Sequence, residues 1–178
     1  MPFIGIISDE KNENFICQKI QHELNLSDSS VLYIKEKSIE NIRNIKFETI
    51  LLAREFEKVD ILKTMLKDTK YLIVNSDIET NLNILDNLEL TVITYGFNSK
   101  STITASSVTD DDLLICIQRN LIDINGKEIE PQEINVCKTK VDLKDNQEAQ
   151  RFNSETIKDA SSIMAIMSIL LLYGKNNL

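Results

Sequence analysis

The sequence predicts an α/β protein: a mostly parallel sheet flanked by helices, then an antiparallel β extension, then a C-terminal apolar helix. Three observations predict it. Short apolar runs rich in β-branched residues recur through residues 1–97, separated by amphipathic stretches, which is the pattern of buried parallel strands alternating with helices. After Gly96 the helical stretches drop out and strand-like segments follow one another. The last apolar segment carries Ile163, Met164, Ile166, Met167 and then Ile169 to Leu172, apolar nearly all the way round. Residues 1–97 therefore read as a Rossmann-like half, and residues 98–178 as antiparallel strands plus the helix. No Pro/Gly/Ser-rich linker separates them, so 1–178 is read as one domain.

Each element has its own signal. Phe3-Ile4-Gly5-Ile6-Ile7 is a compact apolar run ended by Ser8-Asp9-Glu10, a buried first strand. A helix follows from Asn14, with Ile16, Ile20 and Leu24 on one face. Residues 31–34 form a second strand, Ser38 caps a short helix through Ile42, and residues 47–52 form a third strand. Residues 59–66 are helical, with Ile61, Leu62, Met65 and Leu66 on the apolar side. Residues 71–74 and 90–94 are the fourth and fifth strands, with a helix over 78–85 between them. Residues 102–108, 113–124 and 128–140 then read as successive strands, and Asn125-Gly126 is the strongest hairpin signal in the chain. Pro131 has no N–H, so its strand belongs at an edge or carries a bulge. Residues 142–151 are a charged connector, and 154–172 form the last helix, stopped at Gly174.

Composition narrows the function classes. Net charge is −8 and the basic residues are dispersed, which argues against a nucleic-acid or anionic-membrane partner, since both demand clustered cations. Cys17, Cys116 and Cys137 are far apart and unpatterned, as expected for free thiols in a reducing compartment. The apolar stretch 163–173, broken by Ser168, is well short of the ~20 residues needed to span a bilayer. With no basic-then-apolar leader at Met1-Pro2-Phe3, the expected location is cytoplasmic.

Chemistry-bearing motifs are sparse. The four glycines, Gly5, Gly96, Gly126 and Gly174, lie too far apart to write a phosphate-cradling loop of either common kind. His22 stands alone inside the first helix, without the partners that a metal cluster or a triad requires. Cys116 and Cys137 sit in strand-like contexts with no base to form a thiolate. Asp110-Asp111-Asp112 lacks cation-loop spacing and reads as a solvated turn. No catalytic residue, metal or cofactor is assigned.

What remains is the edge past the carboxyl ends of the strands, where ligands bind in open α/β sheets. The candidate ligand-binding residues there are Ser8, Asp9, Asn75, Ser76, Asp77, Gly96, Asn98 and Lys100. The plainer reading of 75–77 is that Ser76 or Asp77 caps the next helix. Lys100 is read as solvated, with contact to an anion as the alternative, and Gly96 as relief of backbone strain in a turn.

Tyr71-Leu-Ile-Val-Asn-Ser-Asp77, then Val92-Ile-Thr-Tyr-Gly96 and Ser101-Thr-Ile-Thr-Ala105, together resemble the central domain of the Mur ligases. Those ATP-dependent enzymes add amino acids to the peptidoglycan precursor. The resemblance covers about residues 62–174, with the stretch from Lys158 to Gly174 corresponding to the family's alanine-rich helix; the first 60 residues match only in being α/β. In that helix the family's first asparagine, an adenine contact, falls on Asp159 and its second on Ser162, and the family's second acidic residue after Val74 is replaced by Ile78. The family's glycine-rich ATP loop, its catalytic lysine and its C-terminal ligase domain have no counterpart in these residues.

The leading expectation is thus a non-catalytic Mur-ligase-like binding, regulatory or assembly module tied to cell-wall precursor metabolism. A second is a small enzyme in which Ser8, Asp9, Asn75, Asp77, Asn98 and Lys100 converge on one position. A third is a structural subunit docking through the C-terminal helix, as a homodimer or on a Mur-ligase-type partner.

Overall fold

A computed structural model describes residues 3–85, 88–138 and 159–175. Eight strands among them form one sheet in the order β10-β7-β6-β5-β4-β3-β1-β2, where β1 is Ile4–Ile7, β2 Val31–Tyr33, β3 Thr49–Leu52, β4 Tyr71–Asn75, β5 Thr91–Tyr95, β6 Ile103–Val108, β7 Asp112–Ile117 and β10 Gln132–Cys137. Pairings from β2 through β6 are parallel; β7 runs antiparallel to β6, and β10 to β7. Between β7 and β10, β8 (Leu121–Ile122) and β9 (Glu128–Ile129) form a separate antiparallel hairpin.

Period-two alternation sorts the strand residues onto two cores. Ile4 and Ile6 of β1, Leu51 of β3, Ile73 of β4, and Ile93 and Tyr95 of β5 all face one layer, with α1 (Glu13–Leu24) and α5 (Ala160–Leu172). Their neighbours Ile7, Ile50, Leu52, Leu72 and Val74 face the opposite layer, with α2 (Ile39–Ile42), α3 (Val59–Leu66) and the segment after α4 (Glu79–Leu82). Strands buried on both faces explain the continuous apolar runs. In β7 only Leu113, Ile115 and Ile117 are fully buried, so that strand alternates as a one-sided antiparallel strand should.

Several expectations shift in detail. Residues 78–85 hold one turn of α-helix followed by a 3-10 turn at Asn83–Leu85, not a continuous helix. Residues 113–124 divide into β7 and β8, and 128–140 into β9 and β10, as far as they are described. Pro131 falls between β9 and β10, and β10 is the sheet edge. Ser38 precedes α2 without capping it; its hydroxyl donates to the Lys35 carbonyl at 3.3 Å. The connector 142–151 and the helix expected over 154–158 lie outside the described residues.

The C-terminal helix is apolar nearly all the way round. It lies inside the chain: every residue of α5 except Ser161 is buried, against α1 on one side and β4, β5 and β6 on the other. A helix enclosed this way needs no polar face, which accounts for its uniform hydrophobicity. Its buried Ser168 hydroxyl donates to the Met164 carbonyl at 2.7 Å, so no polar group there is left over. Gly174 ends the helix at φ +76, with its own N–H donating to Leu171 and Lys175 N–H donating to Leu170.

Candidate functional site

The carboxyl edge of the parallel sheet carries most of the candidate residues. In the order β2-β1-β3 the chain leaves β1 to opposite sides, so the crevice between β1 and β3 is a topological switch point. Here it is closed by protein. The Ser8 carbonyl accepts from the Tyr33 hydroxyl at 2.7 Å and from Arg54 Nε at 3.0 Å. Arg54 Nη1 also reaches Glu36 at 3.3 Å, and its guanidinium lies 5.9 Å from the centre of the Phe56 ring. The Ser8 side chain is buried and Asp9 is exposed beside it. Burial, then the Glu13 charge, pushes the Tyr33 hydroxyl up to about 12, so it stays a proton donor to Ser8.

Two strands further along, Asn75, Ser76, Asp77, Gly96 and Asn98 come together, but on one another. The Asp77 carboxylate accepts from the Phe97 N–H at 2.8 Å and the Asn98 N–H at 2.9 Å, pinning the β5–β6 turn. Gly96 has φ +146, and a Cβ there would stand 2.7 Å from the Asp77 carboxyl carbon. Glycine is thus required by close approach as well as by backbone angle. The Ser76 hydroxyl reaches the Tyr95 carbonyl at 3.1 Å and the Ser101 hydroxyl at 2.6 Å. Neither Ser76 nor Asp77 caps α4, contrary to expectation; Ile78 holds that position, with no side-chain cap. The turn amides outcompete a helix of one turn, because they offer the carboxylate two aligned donors. Lys100 is exposed, and its N–H donates to the Asn98 side chain at 2.9 Å.

The start of α5 faces this same edge. The Asp159 carboxylate accepts from the Ser161 N–H at 3.0 Å and the Ser162 hydroxyl at 3.1 Å, capping the helix. The Asn75 amide donates to the Ser161 hydroxyl at 3.4 Å. Between these elements lies Tyr95, fully buried, whose hydroxyl has no hydrogen-bond partner within geometric limits among the described residues. Burial first, then the charges of Asp159, Asp77 and Asp9, hold its ionisation far above the ordinary phenol range. Three carboxylates thus act on one point at the sheet edge.

Of the residues singled out from sequence, the structure gathers Asn75, Ser76, Asp77, Gly96 and Asn98, brings Asp9 within electrostatic reach of Tyr95, and leaves Lys100 on the surface. His22 is exposed beside Glu23, at 3.3 Å. Asp110 and Asp111 are exposed in the β6–β7 turn, where the Thr109 hydroxyl accepts from the Asp112 N–H. Cys116 and Cys137 are half-buried on β7 and β10. Among the described residues no group of three His, Cys, Asp or Glu side chains is placed to hold a metal ion. Sequence reading missed Arg54, Tyr33 and Tyr95. Arg54 directly follows a strand run, and Tyr95 keeps the inward parity of Ile93, so the signals for these two were present.

No protein family and no curated protein match the sequence. Solved structures do. A UDP-N-acetylmuramate:L-alanyl-gamma-D-glutamyl-meso-diaminopimelate ligase from Neisseria meningitides superimposes with a TM-score of 0.59 at 9% identity, over 98% of this chain and 62% of that one. The UDP-N-acetylmuramate-alanine ligase MurC from Thermotoga maritima does so with a TM-score of 0.54 at 10% identity, over 97% of this chain and 41% of that one. The chain has a Mur ligase fold. The match reaches residues 3–60 as well, so the Mur-ligase-like architecture extends over the part whose sequence resembles the family only in class. The chain spans less than two thirds of the length of these ligases. Among the described residues no helix is long and apolar enough to cross a membrane.

Proposed function

We propose that this chain is a cytoplasmic pseudoenzyme with a Mur ligase fold, a binding, regulatory or assembly module acting beside cell-wall precursor synthesis and not an ATP-driven ligase. The fold likeness supports the setting. One observation supports the loss of phosphoryl chemistry: the four glycines lie too far apart to write a phosphate-cradling loop, and the strand-end carboxylates Asp77 and Asp159 are bonded to donors of the fold itself. In phosphoryl transfer a divalent cation normally bridges carboxylate to phosphate. Here both oxygens of Asp77 are committed to main-chain amides, and both oxygens of Asp159 to Ser161 and Ser162. A metal recruited to either carboxylate would have to share it with the bonds that pin the β5–β6 turn and cap α5.

The reading of the edge as a small enzyme's site is weaker for the same reason, since Ser76 and Asp77 are spent on structure. Titration calorimetry with ATP, with and without magnesium, tests the proposal. No saturable heat and no phosphate release are expected. Micromolar binding accompanied by ATP turnover would overturn it.

A further inference from the structure

A cavity of about 310 Å3 opens at the carboxyl ends of β3 and β4, between the loop leading into α3 and the α4 segment. Its walls are the buried Phe56 and Ile84 and the half-buried Val59. Asn81 also lines it. That side chain is 0% exposed, and among the described residues neither its carboxamide nitrogen nor its oxygen has a hydrogen-bond partner. The Asn81 main-chain N–H is satisfied by the Ile78 carbonyl, so the unmet demand belongs to the side chain alone.

A fully buried amide with both ends unmet is costly, and leucine would fill the same space more cheaply. No backbone role explains an asparagine inside a one-turn helix. The exposed rim carries Glu55 and Glu57, and among the described residues no basic one lines the cavity. The neighbouring cations are engaged elsewhere: Arg54 with Glu36 at 3.3 Å and Lys58 with Glu40 at 2.9 Å.

We propose that this cavity binds a small planar molecule, neutral or cationic, whose carboxamide-type edge pairs side by side with the Asn81 amide while its apolar face rests on Phe56 and Ile84. An amide offers one donor and one acceptor at that spacing, and so completes both unmet groups at once. A carboxylate of the same shape offers two acceptors, leaves the Asn81 oxygen unpaired and is repelled by Glu55 and Glu57. The Asn81 amide atoms are covered, so binding includes a rotamer shift of the exposed rim residue Thr80 or Asn83, a fast and inexpensive motion. The site is separate from the Tyr95 edge, and the outcome of the nucleotide titration does not bear on it.

Nicotinamide and nicotinate, an isosteric amide and carboxylate, are the probes. Each is titrated into the 15N-labelled protein while backbone amides of residues 55–59 and 80–84 and the Asn81 side-chain NH2 are followed. Saturable millimolar shifts are expected with nicotinamide, with nicotinate weaker by about tenfold, the worth of one or two buried hydrogen bonds. Asn81→Leu should weaken nicotinamide by about tenfold while raising the thermal midpoint of the free protein. The exposed pair Glu55→Gln and Glu57→Gln, which leaves the core untouched, should narrow the gap between the probes without weakening nicotinamide. The proposal fails if nicotinamide gives no saturable shift, as when water alone satisfies Asn81. It fails equally if the probes bind alike, or if neither set of substitutions changes their affinities.

Discussion

Replacing Gly96 and Asp77 singly and together probes the turn that closes the β5 end of the sheet. Asp77→Ala removes two charge-assisted bonds to the Phe97 and Asn98 amides, at 2.8 and 2.9 Å. Both amides are in exposed residues that water can reach, so about 1 kcal/mol each, roughly 2 in all, is the expected loss. Gly96→Ala adds a Cβ 2.7 Å from the Asp77 carboxyl carbon at φ +146. The backbone strain costs about 1–2 kcal/mol, and the displaced carboxylate forfeits the same two bonds, for a total near 3–4. In the double variant the clash is gone and the bonds are lost only once, so its cost should stay near that of Gly96→Ala alone. A coupling of about 2 kcal/mol is therefore expected from urea denaturation of the four proteins. Additivity within about 0.5 kcal/mol would show that glycine serves the backbone angle alone and that Asp77 does not enforce it.

Asp159→Ala should lower stability by about 1 kcal/mol through loss of the α5 cap, read as a downward thermal shift, with Asp159→Ser recovering part of it. Burial, then the Glu13 charge, pushes the Cys17 thiol from its ordinary 9.0 up to about 12, so at pH 8 it should resist iodoacetamide in the native protein and react once unfolded in urea, as read by mass spectrometry. Cys17 at about 12 and Tyr33 and Tyr173, each also raised to about 12 mainly by burial, ionise more easily when unfolded. Their contribution is complete below about pH 9 and is lost as pH rises toward 12, so the urea midpoint should fall across that window; a flat midpoint there would contradict the burial of these groups.

Much of the fold was legible because each layer writes a different period. Ile4, Ile6 and Ile7 are all apolar because β1 is covered on both faces, whereas Leu113, Ile115 and Ile117 alternate with half-buried neighbours because β7 is covered on one. The boundaries of α4 and the break between β7 and β8 were not legible, since one-turn helices and two-residue strands are too short to express a period. At the candidate edge, strand ends located Asn75 to Asp77 and Gly96 correctly, but not what they bond. Asp77 reads as a helix cap from its neighbours in sequence, yet its partners are 20 and 21 residues away. Asn81 carried no signal at all, because an asparagine after Thr80 in a polar stretch looks solvated until the sheet encloses it.

Local chemistry alone determined that the chain is α/β, that strands lie at 3–7, 71–74 and 90–94 to within a residue, that the C-terminal helix is covered, and that the glycines write no phosphate-cradling loop. Those properties follow from periodicity and from glycine placement, which neighbours in the chain impose on one another. Tertiary structure decided the strand order, the enclosure of α5 within its own fold, the burial of Tyr95 and the unmet amide of Asn81. Each of these depends on distances between residues remote in sequence, and burial and electrostatics act through space, not along the backbone.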